Sequence, residues 1–354
     1  MKKLINRVED VVKEQMEGLA FSRPELLVSY EPRYMWHEPK QKQVALVSGG
    51  GSGHEPLHAG FIGEGMLTGA CPGEVFTSPT PDQMYECGQK VNSGEGVLFV
   101  IKNYTGDVLN FETAVELLHA DGIPVGAVLT DDDVAVKDSL YTAGRRGVAG
   151  TVLVEKMVGA AAAKGYSLEQ CEVLARRIND NCRSFGVALR ACVVPAAGQL
   201  SFVLEDNEVE FGVGIHGEPG IERRAYENVD SLVDQMFAEI MENTGYSRTL
   251  RIWNRGNGDW DEVETPIADF GKDKDYVVLV NGLGATPASE LYGVYRRLAQ
   301  NCEKAGIRIV RNLVGNYCTS INMEGISITL LQADEEMLEL YDAPVNTAAM
   351  TWGK

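Results

Sequence analysis

The 354-residue chain contains no apolar run long enough to cross a bilayer. Its longest apolar stretches, such as residues 44–47 and 97–101, are far shorter than the about 18 to 20 residues that a spanning helix needs. Charged residues enter the N-terminal sequence before an apolar segment of about 7 to 15 residues could form, which argues against a signal peptide. We therefore expect a cytoplasmic protein with no membrane partner.

Blocks of basic residues and closely paired cysteines are also missing. The 32 basic and 51 acidic residues give a formal charge of −19, which would repel the phosphates of a nucleic acid, so a nucleic-acid partner is excluded. The seven cysteines are odd in number and include no CxxC pair, which argues against a disulfide framework and against a structural zinc site. We expect buried free thiols.

Short β-branched runs alternate with helical patterns over most of the chain. This alternation predicts parallel strands with crossover helices, and we expect an α/β fold of two α/β domains, built on mainly parallel or mixed sheets flanked by helices. We place the domain boundary near residues 182–186, which gives an N-terminal domain of residues 1–183 and a C-terminal domain of residues 184–354. The predicted strands are residues 43–47, 97–101, 125–129, 187–194, 210–215, 276–280, 307–310 and 326–331, and the predicted helices are residues 81–91, 111–120, 155–163 and 167–181.

A glycine-rich loop follows the first predicted strand, with four glycines among residues 49–53. Glycines permit positive φ angles and let several backbone N–H groups converge on one oxygen-rich ligand, so the loop is interpreted as a cradle. It lacks the Lys-Ser/Thr pair of a Walker A loop and fits the dinucleotide fingerprint poorly. A tight turn without a ligand is the alternative.

Residues 54–58 match the HExxH pattern of zinc peptidases. Pro56 interrupts the pattern, because proline restricts the residue before it and favours a helix start at its own position. We expect a helix that begins near Pro56, with His54 before it, so that the rings of His54 and His58 do not share a helical face. The zinc-site interpretation is therefore disfavoured.

Acidic residues follow two further strands. Asp107 lies five residues after Lys102, and the two are a plausible base and cation for a hydroxylated substrate, although Asp107 or Asn110 could instead cap the helix predicted near Phe111. Residues 131–133 are three consecutive aspartates, which could bind Mg²⁺ but whose side chains diverge. A solvated turn or a helix cap is favoured there.

His216 follows a predicted strand and precedes the sequence Gly-Glu-Pro-Gly. This rigid turn would present the imidazole at the sheet edge with little to pack against it, although a core or surface role is the alternative. His37 and His119 have no such setting and are expected at the surface. Residues 281–287 are interpreted as a backbone corner that supports the site, with phosphate binding as the alternative.

Together the stretches SGGGSGHEP, IKNYTGD, DDDVAVKDSLYTAGRRGVAGT, GVGIHGEPG, NGLGATP and ITLL closely resemble the dihydroxyacetone kinase family. The resemblance extends over essentially the whole chain and is greatest to the substrate-binding subunits of the phosphotransferase-system-dependent form.

The resemblance implies a homodimer that binds dihydroxyacetone covalently, through a hemiaminal between a ring nitrogen of His216 and the ketone carbon. It also implies that His54 assists hemiaminal formation, that Lys102 and Asp107 hold the substrate hydroxyls, and that Asp107 is the base toward the hydroxyl that is phosphorylated. The remaining implied substrate contacts are Gly51, Ser52 and Gly53. No metal ligand is expected.

ATP-dependent members of the family carry an additional nucleotide-binding domain, which is not part of this sequence, so a separate phosphoryl donor is expected. The resemblance implies an L subunit carrying Mg-ADP, rephosphorylated by an M subunit and supplied by phosphoenolpyruvate, in glycerol metabolism. No cofactor is expected on this chain. Two alternatives remain, a dihydroxyacetone sensor that binds a transcription regulator and a nicotinamide oxidoreductase suggested by the glycine loops alone.

Overall fold

The computed structural model describes residues 2–136 and 144–353. Part of the long motif at residues 131–151, namely residues 137–143, lies outside the described residues. The α-helices of the described part are α1 (Val11–Ser22), α2 (Pro81–Val91), α3 (Thr105–Ala120), α4 (Gly150–Ala163), α5 (Leu168–Asp180), α6 (Val229–Glu242), α7 (Ala288–Ala305) and α8 (Glu335–Asp342). The strands are β1 (Leu27–Tyr30), β2 (Arg33–Trp36), β3 (Ala45–Ser52), β4 (Gly69–Val75), β5 (Val97–Lys102), β6 (Val125–Thr130), β7 (Cys182–Arg190), β8 (Glu208–Phe211), β9 (Glu222–Ala225), β10 (Ser247–Asn254), β11 (Asp259–Pro266), β12 (Asp275–Gly282), β13 (Arg308–Gly315), β14 (Glu324–Ala333), β15 (Val345–Asn346) and β16 (Thr351–Trp352).

The first sheet has the strand order β1-β2-β4-β3-β5-β6. Strands β4, β3, β5 and β6 are mutually parallel, and the β1–β2 hairpin extends the sheet with antiparallel pairing. Helix α2 connects β4 to β5, and helix α3 connects β5 to β6. Parallel strands need such crossover connections, because the chain must return to the end of the sheet at which the next strand begins. The predicted parallel strands and crossover helices are confirmed, whereas β4 was not anticipated.

The second sheet is mixed, with the order β13-β12-β14-β7-β8-β9. Only β12 and β13 pair in parallel, and the other neighbours are antiparallel. Residues 182–186, near which the sequence places the domain boundary, belong to β7 and pair with β14. The α/β fold class with sheets flanked by helices is confirmed, but the expected strand at residues 187–194 starts and ends earlier.

Helix α4 is buried along nearly its whole length. Every residue from 150 to 162 is buried, and α4 packs in a cluster that contains residues of both sheets, among them Leu98 and Val277. Small residues allow this close packing: a Cβ at Gly159 would collide with the backbone of Met66. A helix that is apolar all round belongs in an interior, so its two charged residues, Glu155 and Lys156, require partners there.

The β10–β11 hairpin packs against the first sheet, although it lies in the C-terminal half of the chain. Trp253 joins the cluster formed by α2, α3 and their strands, and the guanidinium of Arg248 binds Asp131 with Nε 2.5 Å from Oδ2. The two sheets follow the predicted halves of the chain, whereas this hairpin crosses between them. The division at residues 183/184 therefore stays a prediction.

The expectation of a solvated turn at the three aspartates was wrong, whereas the helix-cap alternative describes Asp132. Asp131, Asp132 and Asp133 are each only 1 % exposed, so they do not form a solvated turn. Asp132 accepts the N–H groups of Val148 and Gly150 at the start of α4, which is a capping role supplied from a distant loop. Buried carboxylates must be paired, and these three bind backbone N–H groups, serine, asparagine and arginine.

Of the two histidines expected at the surface, only His37 is buried. His119 is partly buried, with its ring 5.3 Å from that of Trp253. All seven cysteines are buried and free, as predicted. No helix of the described residues is long and apolar enough to span a membrane.

Candidate functional site

The glycine segment forms part of strand β3. Residues 49–51 pair with β4, so the expected loop is extended backbone up to Ser52. A Cβ at Gly51 would lie 2.5 Å from the backbone nitrogen of Thr77, and one at Gly53 would lie 2.8 Å from the Phe76 ring. Gly53 also has a φ of +107°, which other residues rarely adopt. Glycine is needed here mainly for close packing.

His54 follows this segment and is completely buried. Its Nδ1 lies 2.9 Å from the carbonyl oxygen of Thr319, which can only accept a hydrogen bond, so Nδ1 carries the proton. The carboxamide of Asn281, at the end of β12, accepts the N–H groups of Tyr317 and Cys318 and donates to the Cys318 carbonyl, which fixes the loop. The Nε2 of His54 is thereby left with a lone pair.

His216 faces that lone pair. The Nε2 atoms of His54 and His216 are 3.1 Å apart, so a proton must lie between them, and His216 donates it. In the same tautomer the Nδ1 of His216 carries a lone pair, and this atom is buried without a hydrogen-bond partner among the described residues. The two imidazoles therefore form a directed pair, with His54 as the acceptor.

Both rings are uncharged at neutral pH. Burial, together with the positive charges of Lys102 and Arg146, lowers the pKa of His216 to about 3. Burial also lowers the pKa of His54 well below its usual value, and the neighbouring His216 and Lys102 act in the same direction. An uncharged imidazole can use a ring nitrogen as a nucleophile or a proton acceptor, whereas imidazolium cannot.

Aromatic rings enclose the pair, contrary to the expectation that the His216 ring has little to pack against. The ring of Tyr104 lies 4.3 Å from that of His216 between centroids, and the ring of Phe76 stacks on His54 at 5.1 Å. His216 is consequently half-buried. Its position is set by these contacts as much as by the turn that follows it.

A buried ion pair between Arg146 and Glu218 fixes the loop that carries His216. One carboxylate oxygen of Glu218 accepts the backbone N–H of His216 at 2.8 Å, and the other lies 3.4 Å from Nη1 of Arg146. Arg146 also binds Asp133, with a nitrogen to oxygen distance of 2.7 Å, and the carbonyl of Gly212. The loop after the third aspartate is thus tied to the loop that carries the imidazole.

Lys102 and Asp107 lie at the end of β5 and in the first turn of α3. This helix begins at Thr105 rather than near Phe111, so Asp107 is not its N-cap. The Lys102 Nζ is 3.6 Å from Oδ2 of Asp107, and both residues are buried. Burial raises the pKa of Asp107, while Lys102 and a hydrogen bond from Ser78 oppose the rise.

Asp107 and His216 line one pocket of about 580 Å³, together with Phe76, Ser78, Tyr104 and Glu218. Its walls include the uncharged imidazole of His216 and the buried carboxylate of Asp107, and the fully buried His54 contacts His216 outside the lining. A small molecule with a carbonyl and a hydroxyl could therefore meet a nucleophile at one end and a base at the other.

The other predicted substrate contacts, Gly51, Ser52 and Gly53, do not line this pocket. Gly51 and Ser52 line a smaller cavity with His58, and the Ser52 hydroxyl donates to the Gly73 carbonyl. The Gly53 N–H is bound by the Glu55 carboxylate, so it is not a free donor. The roles given to these three residues stay predictions.

The HExxH segment does not form an α-helix. Residues 55–58 are a turn followed by a short 3-10 helix at Ala59–Phe61, so the helix expected near Pro56 was wrong in type. His54 bonds to His216, whereas His58 bonds to Glu155 and Lys102, and the two rings serve different neighbours. Among residues 2–136 and 144–353, no group of three His, Cys, Asp or Glu residues could hold a metal ion.

Several residues that build the site gave no individual signal in the sequence. Phe76 follows the unanticipated strand β4, and Asn281 and Thr319 act through backbone groups distant in sequence. Tyr104 and Glu218 belong to motifs that were singled out, but their side chains were given no role. A position in a loop that follows a predicted strand is a signal that could have marked them.

The fold and pocket together define an α/β protein with an uncharged imidazole pair near a buried carboxylate. A family model described as the Dak1 domain matches residues 17–349. The chain therefore belongs to the Dak1-domain family of dihydroxyacetone kinases, which confirms the resemblance found in the sequence.

Similarity to individual proteins extends over the full chain. The chain is 59 % identical over 356 residues, covering 100 % of both chains, to the PEP-dependent dihydroxyacetone kinase, dihydroxyacetone-binding subunit DhaK, of Escherichia coli strain K12. The solved dihydroxyacetone kinase operon co-activator Dha-DhaQ superposes with a TM-score of 0.84 at 32 % identity, covering 97 % of this chain and 98 % of that one. The dihydroxyacetone kinase of C. freundii superposes with a TM-score of 0.82 at 30 % identity, covering 98 % of this chain and 60 % of that one.

Proposed function

We propose that this chain is the dihydroxyacetone-binding subunit of a phosphoenolpyruvate-dependent dihydroxyacetone kinase, and that it holds its substrate as a hemiaminal on His216. The observation that carries the proposal is the directed pair of uncharged imidazoles, with Nε2 atoms 3.1 Å apart, of which His216 lines the same pocket as Asp107. The full-length identity of 59 % to a subunit named for dihydroxyacetone binding supports the choice of substrate.

Hemiaminal formation adds one N–H across the carbonyl group. The Nε2 of His216 bonds to the ketone carbon as its proton moves to Nε2 of His54. The carbonyl π electrons pass to the oxygen, and His54 returns the proton to that oxygen. The Nδ1 of His216 keeps its lone pair throughout, which agrees with its lack of a hydrogen-bond partner within residues 2–136 and 144–353. Attack by the opposite tautomer would leave a proton on Nδ1 with no described acceptor.

Covalent capture selects ketones and aldehydes over glycerol, because glycerol has no carbonyl. It also holds a terminal hydroxyl in one place, and positioning of this kind is worth about 7 to 11 kcal/mol in well-oriented reactions. Asp107 then accepts the hydroxyl proton as the oxygen attacks phosphorus. Phosphoryl transfer depends more on orientation than on proton removal, so we assign Asp107 a contribution of about 10²- to 10⁴-fold.

The phosphoryl donor is proposed to be a separate L subunit that carries Mg-ADP and is rephosphorylated by an M subunit. The chain itself is proposed to hold no cofactor and to act as a homodimer in the cytoplasm, in glycerol metabolism. Dihydroxyacetone phosphate would leave after the hemiaminal reverses.

A second candidate is a dihydroxyacetone sensor that binds a transcription regulator, and the similarity to a solved operon co-activator favours it. The same capture chemistry would serve a sensor, but a sensor does not need the carboxylate. Because Asp107 is present in the pocket, we favour the kinase subunit.

Reconstitution tests the two functions against each other. The purified chain is mixed with L and M subunits and phosphoenolpyruvate, and dihydroxyacetone phosphate is measured. Product formation that depends on all components supports the kinase subunit. A mass increment of one dihydroxyacetone on the intact chain, without any product, would support the sensor. Absence of both would overturn the proposal.

A further inference from the structure

A second histidine pairs with Lys102 behind the pocket. The Nε2 of His58 lies 3.1 Å from Nζ of Lys102, whereas Asp107 is at 3.6 Å from the same nitrogen. An ammonium group can only donate, so Nε2 of His58 accepts. The closer of these two contacts of the buried lysine is thus with His58 rather than with the carboxylate of the pocket.

The other ring nitrogen of His58 confirms this tautomer. Nδ1 lies 2.6 Å from Oε1 of Glu155 and 3.0 Å from the hydroxyl of Ser48. The Ser48 hydroxyl already donates to the Val100 carbonyl at 2.7 Å, so toward His58 its oxygen accepts. Two acceptors at Nδ1 and one donor at Nε2 specify a single arrangement, with the proton on Nδ1.

We propose that Glu155 and His58 are positioning residues that hold the Lys102 ammonium away from Asp107 and so leave Asp107 free to take the proton of the substrate hydroxyl. The inference rests on the proposed function, since it assigns roles within that reaction. Glu155 lies on the buried helix α4 and contacts Lys102 through His58. Its carboxylate makes Nε2 of His58 a better acceptor, as in other carboxylate–histidine pairs.

Protonation of Glu155 would reverse the arrangement. A carboxyl group can donate to Nδ1, which moves the ring proton to Nε2, and this N–H would then face the Lys102 ammonium. Lys102 would turn to Asp107 and lower the pKa of that carboxyl, making it a weaker base. Burial raises the pKa of Glu155 to about 8, while Ser48 and Lys102 oppose the rise, so the change falls in an accessible pH range.

Other titratable groups surround the same lysine. They lie in the turn after β3, in helices α3 and α4, and in the loops that carry His216 and Cys318. These groups are His54, His58, Asp107, Glu155, His216 and Cys318. Burial lowers the pKa of all three histidines and raises that of Asp107, Cys318 and Glu155, and for Glu155 it raises the pKa to about 8.

Glu155→Gln tests the proposal in the reconstituted three-subunit assay, with donor subunits in excess. We expect kcat of the variant to equal that of the wild type near pH 6 and to fall about tenfold below it near pH 9, with little change in KM. Glu155→Asp keeps the negative charge, so kcat of this variant should retain most of its increase between pH 6 and pH 9. Glu172→Gln removes another buried carboxylate, on α5 outside the pocket, and should leave the pH dependence unchanged.

A second measurement does not depend on catalysis. With ¹⁵N-labelled histidine, the NMR signals of His58 should show the proton on Nδ1 at pH 9 in the wild type, and His58→Phe identifies the signals. A proton on Nε2, or a charged ring, overturns the proposal. The proposal is also overturned if the dependence of kcat on pH is the same for Glu155→Gln as for the wild type. If the wild type makes no dihydroxyacetone phosphate, the proposed function fails instead, while the NMR result still decides the tautomer.

Discussion

The Nε2 atoms of His54 and His216 face each other at 3.1 Å across 162 residues of sequence. The pair is directed because the Thr319 carbonyl fixes the proton of His54 on Nδ1, which makes His54 the acceptor. Each imidazole alone would be an ordinary buried histidine. In the proposed reaction the pair adds an N–H group across a carbonyl, and His54 carries the proton from Nε2 of His216 to the carbonyl oxygen.

Replacement of His216 by alanine should abolish capture. We expect no mass increment on the intact protein after incubation with dihydroxyacetone. Nε2 of His54 keeps a lone pair, but its attack would require the ring to lose the Nδ1 proton, which faces the Thr319 carbonyl, and a carbonyl oxygen cannot take that proton to give a neutral adduct. Circular dichroism and thermal unfolding serve as the control, since the half-buried ring should be dispensable for folding. An adduct on this variant would show that another residue is the nucleophile.

Asp107→Asn should separate capture from transfer. The amide keeps the size of the side chain but cannot accept the hydroxyl proton, so kcat should fall by about 10²- to 10⁴-fold. The mass increment should remain, because His216 and His54 are unchanged. Intact-protein mass spectrometry and the reconstituted assay are run on the same preparation. Equal loss of both signals would mean that Asp107 acts in binding.

His54→Asn should slow capture without preventing it. The asparagine N–H₂ group can still donate to the Thr319 carbonyl, but no nitrogen replaces the Nε2 acceptor. We expect the adduct to form and to dissociate about 10²-fold more slowly, with the same final extent, because a proton carrier affects both directions equally. Time-resolved mass spectrometry measures both rates, and an unchanged formation rate would exclude the proton-transfer role.

Uncharged buried histidines should make the protein less stable in acid. The pKa of an unfolded histidine is about 6.5, whereas that of His216 is lowered to about 3, mainly by burial. Between these values the unfolded chain binds a proton that the folded site does not, so stability is present above pH 6.5 and is lost as the pH falls toward 3.

His216→Asn removes this contribution. The free energy of unfolding should decrease between pH 8 and pH 5 in both proteins. The decrease should be about 1 to 2 kcal/mol smaller in the variant than in the wild type. Urea titrations at both pH values measure the difference. Identical pH dependence in the two proteins would mean that His216 titrates normally in the folded state.

Gly51→Ala should destabilise the protein by about 1 to 3 kcal/mol, because its Cβ would lie 2.5 Å from the backbone nitrogen of Thr77 and the chain would have to move. Gly293→Ala is the matched control. No atom lies within 4 Å of a Cβ at Gly293, which is inside α7, so this variant should be slightly more stable than the wild type. Equal unfolding midpoints for the two variants would contradict the packing argument.

Local sequence patterns predicted much of the fold. The helix at Pro81–Val91 and the strands at β5 and β6 follow from periodicity and from proline at a helix start. The same rules missed β4 and the antiparallel pairing of β7 and β14, since strand partners distant in sequence leave no local trace. The three aspartates were misjudged for the same reason, because their partners come from other parts of the chain.

The sequence by itself determined which groups are available: an acidic α/β chain with a histidine, a lysine and an aspartate at the ends of strands, and a motif set that marks its family. The tertiary structure alone decided how these groups work. Proton positions at His54, His58 and His216 depend on what each nitrogen faces, and those neighbours are Thr319, Glu155 and Lys102, brought in by separate elements. Hydrogen bonding and burial are properties of the folded surroundings, so the chemistry of the pocket had to be read from distances in space.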